Sequence, residues 1–369
     1  MGVCITFVDV FSALCVGKFI YGVAVGAIMV FCPKFISETA PIEVKGPAGG
    51  LTQVSLTFGI LVAFALGLGI GDVDADAQDS FQIQYFWYIL FAVPLFLAAL
   101  QSLLLLCAFP YDTPYVLKQR GETENLNKLM RNIYSSEERA TERTALITVM
   151  NEDQLQDMSY GTLICDPRYR QATILGCALS IGQQLTGINV IMFYSNMVFK
   201  GLTITNTMIT ASVGLVNFIA SFFGLVFLAF AGRKVLMATF NIAMSITLLM
   251  LSYYAFQHNS IGMVACVLLF IAFFNFSSGT IIWLYNSEIM QDKAIALALF
   301  LNMFLGLVVS IAIPLVIKVV QIGYIFLTFG VLTAIGAVVI IIFMQETRGK
   351  TQEEIDLMFN DDRESQKDI

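Results

Sequence analysis

Long apolar stretches separated by short polar breaks dominate this sequence. Nine of them reach the length of about 20 apolar residues that a membrane-spanning helix needs, and they cover residues 17–37, 48–70, 85–108, 171–199, 206–230, 235–256, 261–287, 294–317 and 322–344. A tenth stretch, residues 2–15, is too short to span, and it lacks the charged n-region and small-residue cleavage site of a signal peptide. The pattern predicts an all-α membrane protein with nine full spans and, in residues 2–15, a partial helix whose beginning is missing.

The composition excludes most classes of water-soluble protein. Hydrophobic residues make up 57% of the chain and charged residues 13%, whereas soluble domains carry about 25% charged residues. So few charges cannot cover a soluble protein of this size, which argues against a cytosolic enzyme, a nucleic-acid-binding protein and a disordered chain. The seven cysteines form no CxxC pair and the single histidine, His258, lies in a polar break. We therefore expect no disulfide framework, no metal and no cofactor.

Most of the charged residues fall in two segments, residues 110–170 and 345–369. Within the first segment, apolar residues recur at helical spacing among charged ones, which predicts short amphipathic helices. The sequence thus predicts a partial N-terminal helical bundle, a cytoplasmic linker, a C-terminal six-helix bundle and a cytoplasmic tail, in residues 1–109, 110–170, 171–345 and 346–369.

The distribution of Lys and Arg predicts the orientation in the membrane. When the spans alternate, one side receives Lys34, Lys45, Arg233, Lys234, Lys293, Arg348 and Lys350, whereas the other receives only Lys18, Lys200 and Lys318. Basic loops favour the cytoplasmic side. The linker and the C-terminal tail are therefore expected in the cytoplasm, and the plasma membrane is the default location.

Two short polar sequence motifs each occur twice, and the two copies of each motif have similar separations. The sequence Ile36-Ser37-Glu38 follows one apolar stretch and Asn286-Ser287-Glu288 follows another, while Asp112-Thr113 and Glu346-Thr347 each close a later stretch. The repeat indicates two related halves. Counting the spans before and after these motifs predicts twelve helices in the complete protein, of which the first two and a half are missing. Two parallel six-helix halves are the architecture of major facilitator transporters.

Charged side chains at the ends of the spans form the first candidate functional set. Carboxylates and cations on one face of both halves could pair, hold the halves together while the other side is open, and separate when the protein changes state. The alternative is that these charges only fix topology and do not pair. The candidates are Glu38, Lys45, Arg233, Glu288, Glu346 and Arg348.

Uncharged polar side chains inside the spans form the second set. An amide in hydrocarbon is costly unless it is paired, so these residues either join helices or line an aqueous cavity, and both alternatives stay open. Amides with an aromatic face suit a neutral polyhydroxylated ligand such as a sugar. A helix break at Gly187 would let Gln184 and Asn189 face the same side. The set comprises Gln53, Gln183, Gln184, Asn189, Asn217, Trp283 and Asn302.

Several motifs resemble those of the sugar porter family of the major facilitator superfamily. They are Gln183-Gln184-Leu185-Thr186-Gly187-Ile188-Asn189 of the seventh family helix, Pro33-Lys34-Phe35-Ile36-Ser37-Glu38-Thr39-Ala40-Pro41, Gly232-Arg233-Lys234 and Glu346-Thr347-Arg348-Gly349-Lys350-Thr351. The resemblance runs from residue 1 to about residue 358. It implies sugar contacts for Gln53, Gln183, Gln184, Asn189, Asn217, Gly279, Trp283 and Asn302, and an inner salt-bridge network for Glu38, Lys45, Arg233, Glu288, Glu346 and Arg348.

The sequence departs from the family pattern at two informative places. Lys45 stands where the family has Arg, and because Lys does not make the bidentate carboxylate pair of Arg, a looser inner gate is expected. Residues 277–282 lack the Gly/Pro-rich break that is expected before Trp283. The span 261–287 is therefore expected to bend less freely.

Transport of a monosaccharide such as a hexose, by alternating access as a uniport or a proton symport, is the leading hypothesis. Its partners would be the sugar, protons in the symport case and the lipid bilayer, with no nucleic acid. The rivals within transport are a polyol and an organic acid, although a carboxylate substrate favours a buried basic residue in the spans. A truncated, non-transporting relative or a sugar sensor is the rival from another class, and an intramembrane enzyme is a distant third because no catalytic set is present.

Overall fold

The computed structural model describes residues 11–68, 80–108, 111–134, 159–192, 206–350 and 352–359, together with positions 136, 141 and 144. Nine helical stretches among these residues are long and apolar enough to cross a membrane, which confirms the predicted spans. The helices are α1 Phe11–Thr39, α2 Ile42–Leu68, α3 Ser80–Ala108, α4 Pro114–Gln119, α5 Thr123–Ile133, α6 Tyr160–Cys165, α7 Pro167–Leu185, α8 Asn206–Phe230, α9 Arg233–Phe256, α10 Ser260–Phe276, α11 Ser278–Ile289, α12 Asp292–Val316, α13 Ile322–Phe343 and α14 Gln352–Phe359.

The predicted boundary between residues 2–15 and the first full span is wrong. Helix α1 runs without interruption from Phe11 to Thr39, so residues 11–15 belong to the first span, and residues 1–10 lie outside the described part. Lys18 lies within the helix, and its ammonium group lies 4.5 Å from the centroid of the Phe91 ring. A long side chain that reaches an aromatic face can keep a charge within a helix at modest cost.

The chain separates into two compact units, Met1–Thr52 with Leu66–Asp157 and Gln53–Ala65 with Met158–Ile369. In the first unit, the amphipathic helix α5 buries Leu126 and Met130 with Leu117 of α4. Short amphipathic helices were predicted in the linker from the same apolar spacing. The four predicted segment boundaries stay predictions.

The second unit contains two apolar clusters. One includes Met244, Phe270 and Phe326, and the other includes Leu236, Tyr285 and Met344. On α9, α12 and α13, on α10 with α11, and on α7 with the segment 188–192, the residues of one cluster are separated along the chain from those of the other by buried polar residues. These include Gln183, Gln184, Asn241, Ser277, Ser278, Asn302 and Thr333. The bundle therefore has a polar layer between two apolar ones.

The expectation of a stiffer span around residues 277–282 is wrong. The span breaks at Ser277, which has φ −130° and ψ −96° and separates α10 from α11. No proline is present at this break, and hydroxyl groups donate to the backbone carbonyls around it. The Ser277 hydroxyl donates to the Phe273 carbonyl over 2.9 Å, and the Thr280 hydroxyl donates to the Asn275 carbonyl over 2.8 Å. A helix can break inside a membrane protein when side chains satisfy the freed carbonyls.

Candidate substrate-binding site

Four predicted amide side chains form one hydrogen-bonded chain in the second unit. The Asn189 amide donates to Gln184 over 2.6 Å, and the Gln184 amide donates to Asn302 over 2.8 Å. Asn302 in turn donates to the Gln183 side chain over 2.9 Å. We call Asn189, Gln184, Asn302 and Gln183 the amide chain. The structure thus brings together residues of α7, α12 and the short helical segment 188–192.

Asn302 is the centre of the amide chain. It is fully buried, and besides its two side-chain partners it donates to the Ser180 carbonyl over 2.7 Å. One turn further along α12, Gly306 has no side chain, and a Cβ there would lie 3.2 Å from the Asn189 amide nitrogen. Gly306 therefore lets α12 approach the amide chain, a role that sequence patterns did not indicate.

The helix break at Gly187 turns the backbone so that Asn189 reaches the other residues of the amide chain. Gly187 has φ +80°, a left-handed conformation that L side chains rarely adopt. The helix α7 ends at Leu185 and a new turn begins at residue 188. Because of this break, Gln184 and Asn189 hydrogen bond although they are five positions apart. The sequence predicted this break and the shared orientation of Gln184 and Asn189, but not their hydrogen bond.

A second amide pair lies between α8 and α10. Asn275 donates to the predicted residue Asn217 over 2.7 Å, and both are buried. Asn275 was not predicted, although it meets the same criterion of an amide within an apolar span. The Asn275 side-chain oxygen is buried without a hydrogen-bond partner.

Gln53, Gly279 and Trp283 are not joined to the amide chain by the hydrogen bonds of the described residues. Gln53 is half-buried on α2, one turn before Thr57, whose hydroxyl lies 2.6 Å from that of Ser221 on α8. Gly279 is buried beside the Phe274 ring, and Trp283 is half-buried on α11. Their predicted sugar contacts stay predictions.

The amide chain joins helices in this conformation. Gln183 and Gln184 are each 7% exposed and Asn302 is 0% exposed, so they satisfy one another rather than face water. Asn189 is half-buried and ends the chain. Each of these contacts could be exchanged for a hydroxyl group, since amides both donate and accept. Among the described residues, no group of three or more His, Cys, Asp or Glu could hold a metal ion.

The charged candidates of the second unit meet at one end of its spans. Arg233 pairs with Glu288 over 3.0 Å, and the Thr347 hydroxyl donates to the same carboxylate over 2.6 Å. Arg348 donates to the carbonyls of Phe230 and Ala229 over 2.6 and 2.7 Å, at the end of α8. With Glu346, these residues form what we call the Glu346 clamp, namely Arg233, Glu288, Glu346, Thr347 and Arg348.

Glu346 caps helix α9. Its carboxylate accepts from the backbone N–H groups of Arg233 and Lys234 over 2.9 and 3.1 Å. A carboxylate at a helix N-terminus satisfies unpaired donors and interacts favourably with the helix dipole. Gly232 makes room for it, because a Cβ at this position would collide with the Glu346 carboxylate. The clamp therefore ties the segment after α13 to α8, α9 and α11.

We expect Gly232→Ala to destabilise the second unit by about 2 kcal/mol, because the displaced carboxylate leaves two helix donors without their charged acceptor. The measurement is the thermal unfolding of the purified protein. Gly336→Ala is the matched control, since nothing lies within 4 Å of a Cβ there. Glu346→Ala should cost a similar amount and the double variant little more. Additive losses would show that Gly232 acts on something other than Glu346.

The two remaining charged candidates lie in the first unit. Glu38 pairs with Lys34 over 3.8 Å, one turn away on α1. Lys45 belongs to α2, but its side chain lies outside the described part. The described pair Arg233–Glu288 joins helices of the second unit. The predicted role of these charges in holding the two halves together stays a prediction.

Comparison with known proteins agrees with the resemblance of the motifs. Residues 1–359 match the family described as sugar (and other) transporter. The chain is 28% identical over 356 residues to "Hexose transporter 1" of Plasmodium knowlesi, covering 92% of this chain and 71% of that protein. It is 29% identical over 363 residues to "Glucose transporter GlcP" of Staphylococcus epidermidis, covering 94% and 76%.

The fold is that of solved major facilitator structures. The structure of the proton:xylose symporter XylE bound to 6-bromo-6-deoxy-D-glucose matches with a TM-score of 0.77 and 24% identity, covering 94% of this chain and 74% of that one. The predicted major facilitator fold is thereby confirmed. None of these matches supports the prediction that two and a half helices are missing.

Proposed function

The chain belongs to the sugar transporter family, and from that premise we propose that the sugar it carries across the membrane is a hexose, moved by alternating access. The relatives named above are transporters, so the chain is a multi-pass transporter and not an enzyme. The proposal extends this to the substrate, the site and the orientation. The proposed location is the plasma membrane, with the linker and the tail in the cytoplasm and the spans in contact with lipid.

The amide chain is the observation that supports a neutral sugar. Its four side chains offer both donors and acceptors and carry no charge. A sugar hydroxyl can replace an amide partner one for one, so binding need not leave a buried polar group unpaired. An anionic substrate would instead favour a buried cation, and the second unit's spans place their basic residues near the helix ends. The sugar contacts of Gln53, Asn217, Gly279 and Trp283 are part of this proposal.

Alternating access needs elements that can move, and the two helix breaks supply them. The break at Gly187 carries Asn189, and the break at Ser277 separates α11 from α10. Discontinuous helices at mid-depth are a common feature of transporter sites. We propose that the Glu346 clamp is part of the cytoplasmic gate, together with Glu38 and Lys45.

Uptake of radiolabelled glucose by cells that lack their own hexose transporters tests the proposal. We expect saturable uptake that unlabelled hexoses inhibit and that polyols such as mannitol do not. Uptake abolished by a proton ionophore would indicate proton symport, and uptake that continues would indicate uniport. A well-expressed surface protein with no uptake of any sugar would refute transport and favour a sugar sensor or another non-transporting relative.

A further inference from the structure

Hydrogen bonds join helix α11 to α7 near both of the ends of α11. At its beginning, the Ser278 carbonyl accepts from the Gln183 amide over 2.7 Å. Near its end, the Asn286 amide donates to the Ser180 hydroxyl over 2.9 Å. Gln183 and Ser180 are three positions apart and share one face of α7. That face of α7 therefore forms hydrogen bonds with α11 near both of its ends.

Ser180 is the point where three helices meet. Its hydroxyl accepts from Asn286 of α11, and its backbone carbonyl accepts from Asn302 of α12 over 2.7 Å. Ser180, Asn286 and Asn302 are each 0% exposed. A displacement of α11 at Asn286 would therefore act directly on the residue that holds the centre of the amide chain.

The packing beside Asn286 is close and incompletely satisfied. Gly176, one turn before Ser180, has no side chain, and a Cβ there would collide with the Met290 sulfur and lie 3.0 Å from the Asn286 side-chain oxygen. That oxygen is buried with no hydrogen-bond partner. A buried unpaired acceptor is destabilising, and the Asn286 amide nitrogen offsets this by donating to the Ser180 hydroxyl over 2.9 Å and to the Gly176 carbonyl over 3.5 Å.

Asn286 also stands close to the Glu346 clamp. Glu288, two positions later on α11, accepts from Arg233 and from Thr347. Tyr285, one position earlier, accepts at its hydroxyl from the Gln345 backbone N–H over 3.1 Å. Helix α11 is thus held by the amide chain at one end and by the clamp at the other, with the Asn286–Ser180 bond between them.

We propose that Asn286 and Ser180 form a latch that seats α11 on α7 and thereby positions Gln183 and Asn302 for the sugar. Neither residue touches the sugar in this proposal; both are positioning residues. The inference rests on the proposed function, because it assigns the latch to the same site. Releasing the latch weakens sugar binding in this conformation, because the amide chain loses its fixed geometry.

The fluorescence of Trp283 can report whether the latch is intact, because Trp283 lies on α11. The protein has two tryptophans, and Trp87→Phe leaves Trp283 as the only one. In this parent, we expect Asn286→Leu and Ser180→Ala each to raise the quenching of Trp283 by acrylamide, and the double variant to raise it no further. Two changes that break the same contact are not additive. Additive changes, or none, would overturn the latch.

The same variants are then tested in hexose uptake. Loss of one neutral hydrogen bond corresponds to about fivefold in an equilibrium, so KM should rise about fivefold in each single variant and in the double variant, with maximal uptake per surface molecule little changed. Ser252→Ala is the matched control, because its buried hydroxyl donates to the Gly323 carbonyl between α9 and α13. An unchanged KM in Asn286→Leu, or an equal rise in Ser252→Ala, would overturn the positioning role.

The two experiments fail separately. Suppose that neither the natural sequence nor the Trp87→Phe parent carries sugar, although both are present at the cell surface. The proposed function is then wrong, and the quenching of Trp283 alone decides whether the Asn286–Ser180 contact holds α11 on α7. If the parent carries hexose but the quenching of Trp283 does not respond to Asn286→Leu, the latch is wrong and the proposed function stands.

Discussion

Asn302→Leu is expected to reduce hexose uptake at least about a hundredfold at sub-saturating sugar. The substitution removes the centre of the amide chain and leaves two buried side-chain groups unpaired, the Gln183 oxygen and the Gln184 amide nitrogen. It also removes the second hydrogen bond of the Ser180 carbonyl. Each unpaired group costs about 1–3 kcal/mol, and about 1.4 kcal/mol corresponds to tenfold in an equilibrium. Even if the surrounding side chains relax and recover part of this free energy, hexose uptake should still fall by about two orders of magnitude. Uptake is measured per transporter at the cell surface.

The neighbouring position supplies the control. Met303 follows Asn302 on α12 but is 48% exposed, so Met303→Leu changes the same helix without touching the amide chain. It should keep nearly full uptake. If Asn302→Leu reaches the surface and keeps more than half of the uptake, the amide chain is not the sugar site. In that case its amides would serve only to join helices.

Gly187→Ala is expected to have the second large effect, on stability and uptake together. A Cβ at Gly187 would lie 2.8 Å from the Phe329 ring, and the residue has φ +80°. The left-handed conformation costs an L residue about 1–2 kcal/mol, and the overlap with a buried ring costs about 1–3 kcal/mol more. We expect a lower melting temperature, measured on the detergent-solubilised protein, and loss of the Gln184–Asn189 contact.

A second substitution separates the two causes. Phe329→Ala alone creates a cavity, but combined with Gly187→Ala it removes the overlap, so the double variant should be more stable than the sum of the two single effects. Gly182→Ala is the matched control, because nothing lies within 4 Å of a Cβ there. A Gly187→Ala protein as stable as the Gly182→Ala protein would show that the break at residue 187 can be remodelled.

The spans could be predicted because the bilayer imposes a length that any apolar stretch reveals. The amide set was visible for a related reason: polar groups are rare and costly in hydrocarbon, so each one carries information. The Gly187 break could also be read, since glycine lies between two polar positions that a regular helix would separate. These features depend on local sequence or on a single solvent property.

The features that escaped prediction depend on contacts between distant residues. The break at Ser277 requires hydroxyl groups to satisfy the carbonyls of Phe273 and Asn275, and a search for proline does not detect it. Asn286 entered the sequence analysis only as part of the repeated Asn286-Ser287-Glu288 motif, and that motif does not reveal its hydrogen bond to Ser180. Lys18 lies within α1, where its ammonium group contacts the Phe91 ring of α3, and this contact joins residues that are distant in the sequence.

The cap on α9 has a consequence for how the protein is made. The Arg233 and Lys234 N–H groups leave the ribosome more than one hundred residues before Glu346, their acceptor, which is 113 positions from Arg233. During synthesis this helix start must therefore rely on water or on the membrane insertion machinery for its hydrogen bonds. Its own carboxylate arrives only after the last span has been threaded. The cap on α9 can therefore form only after the last span and the residues that follow it have been synthesised.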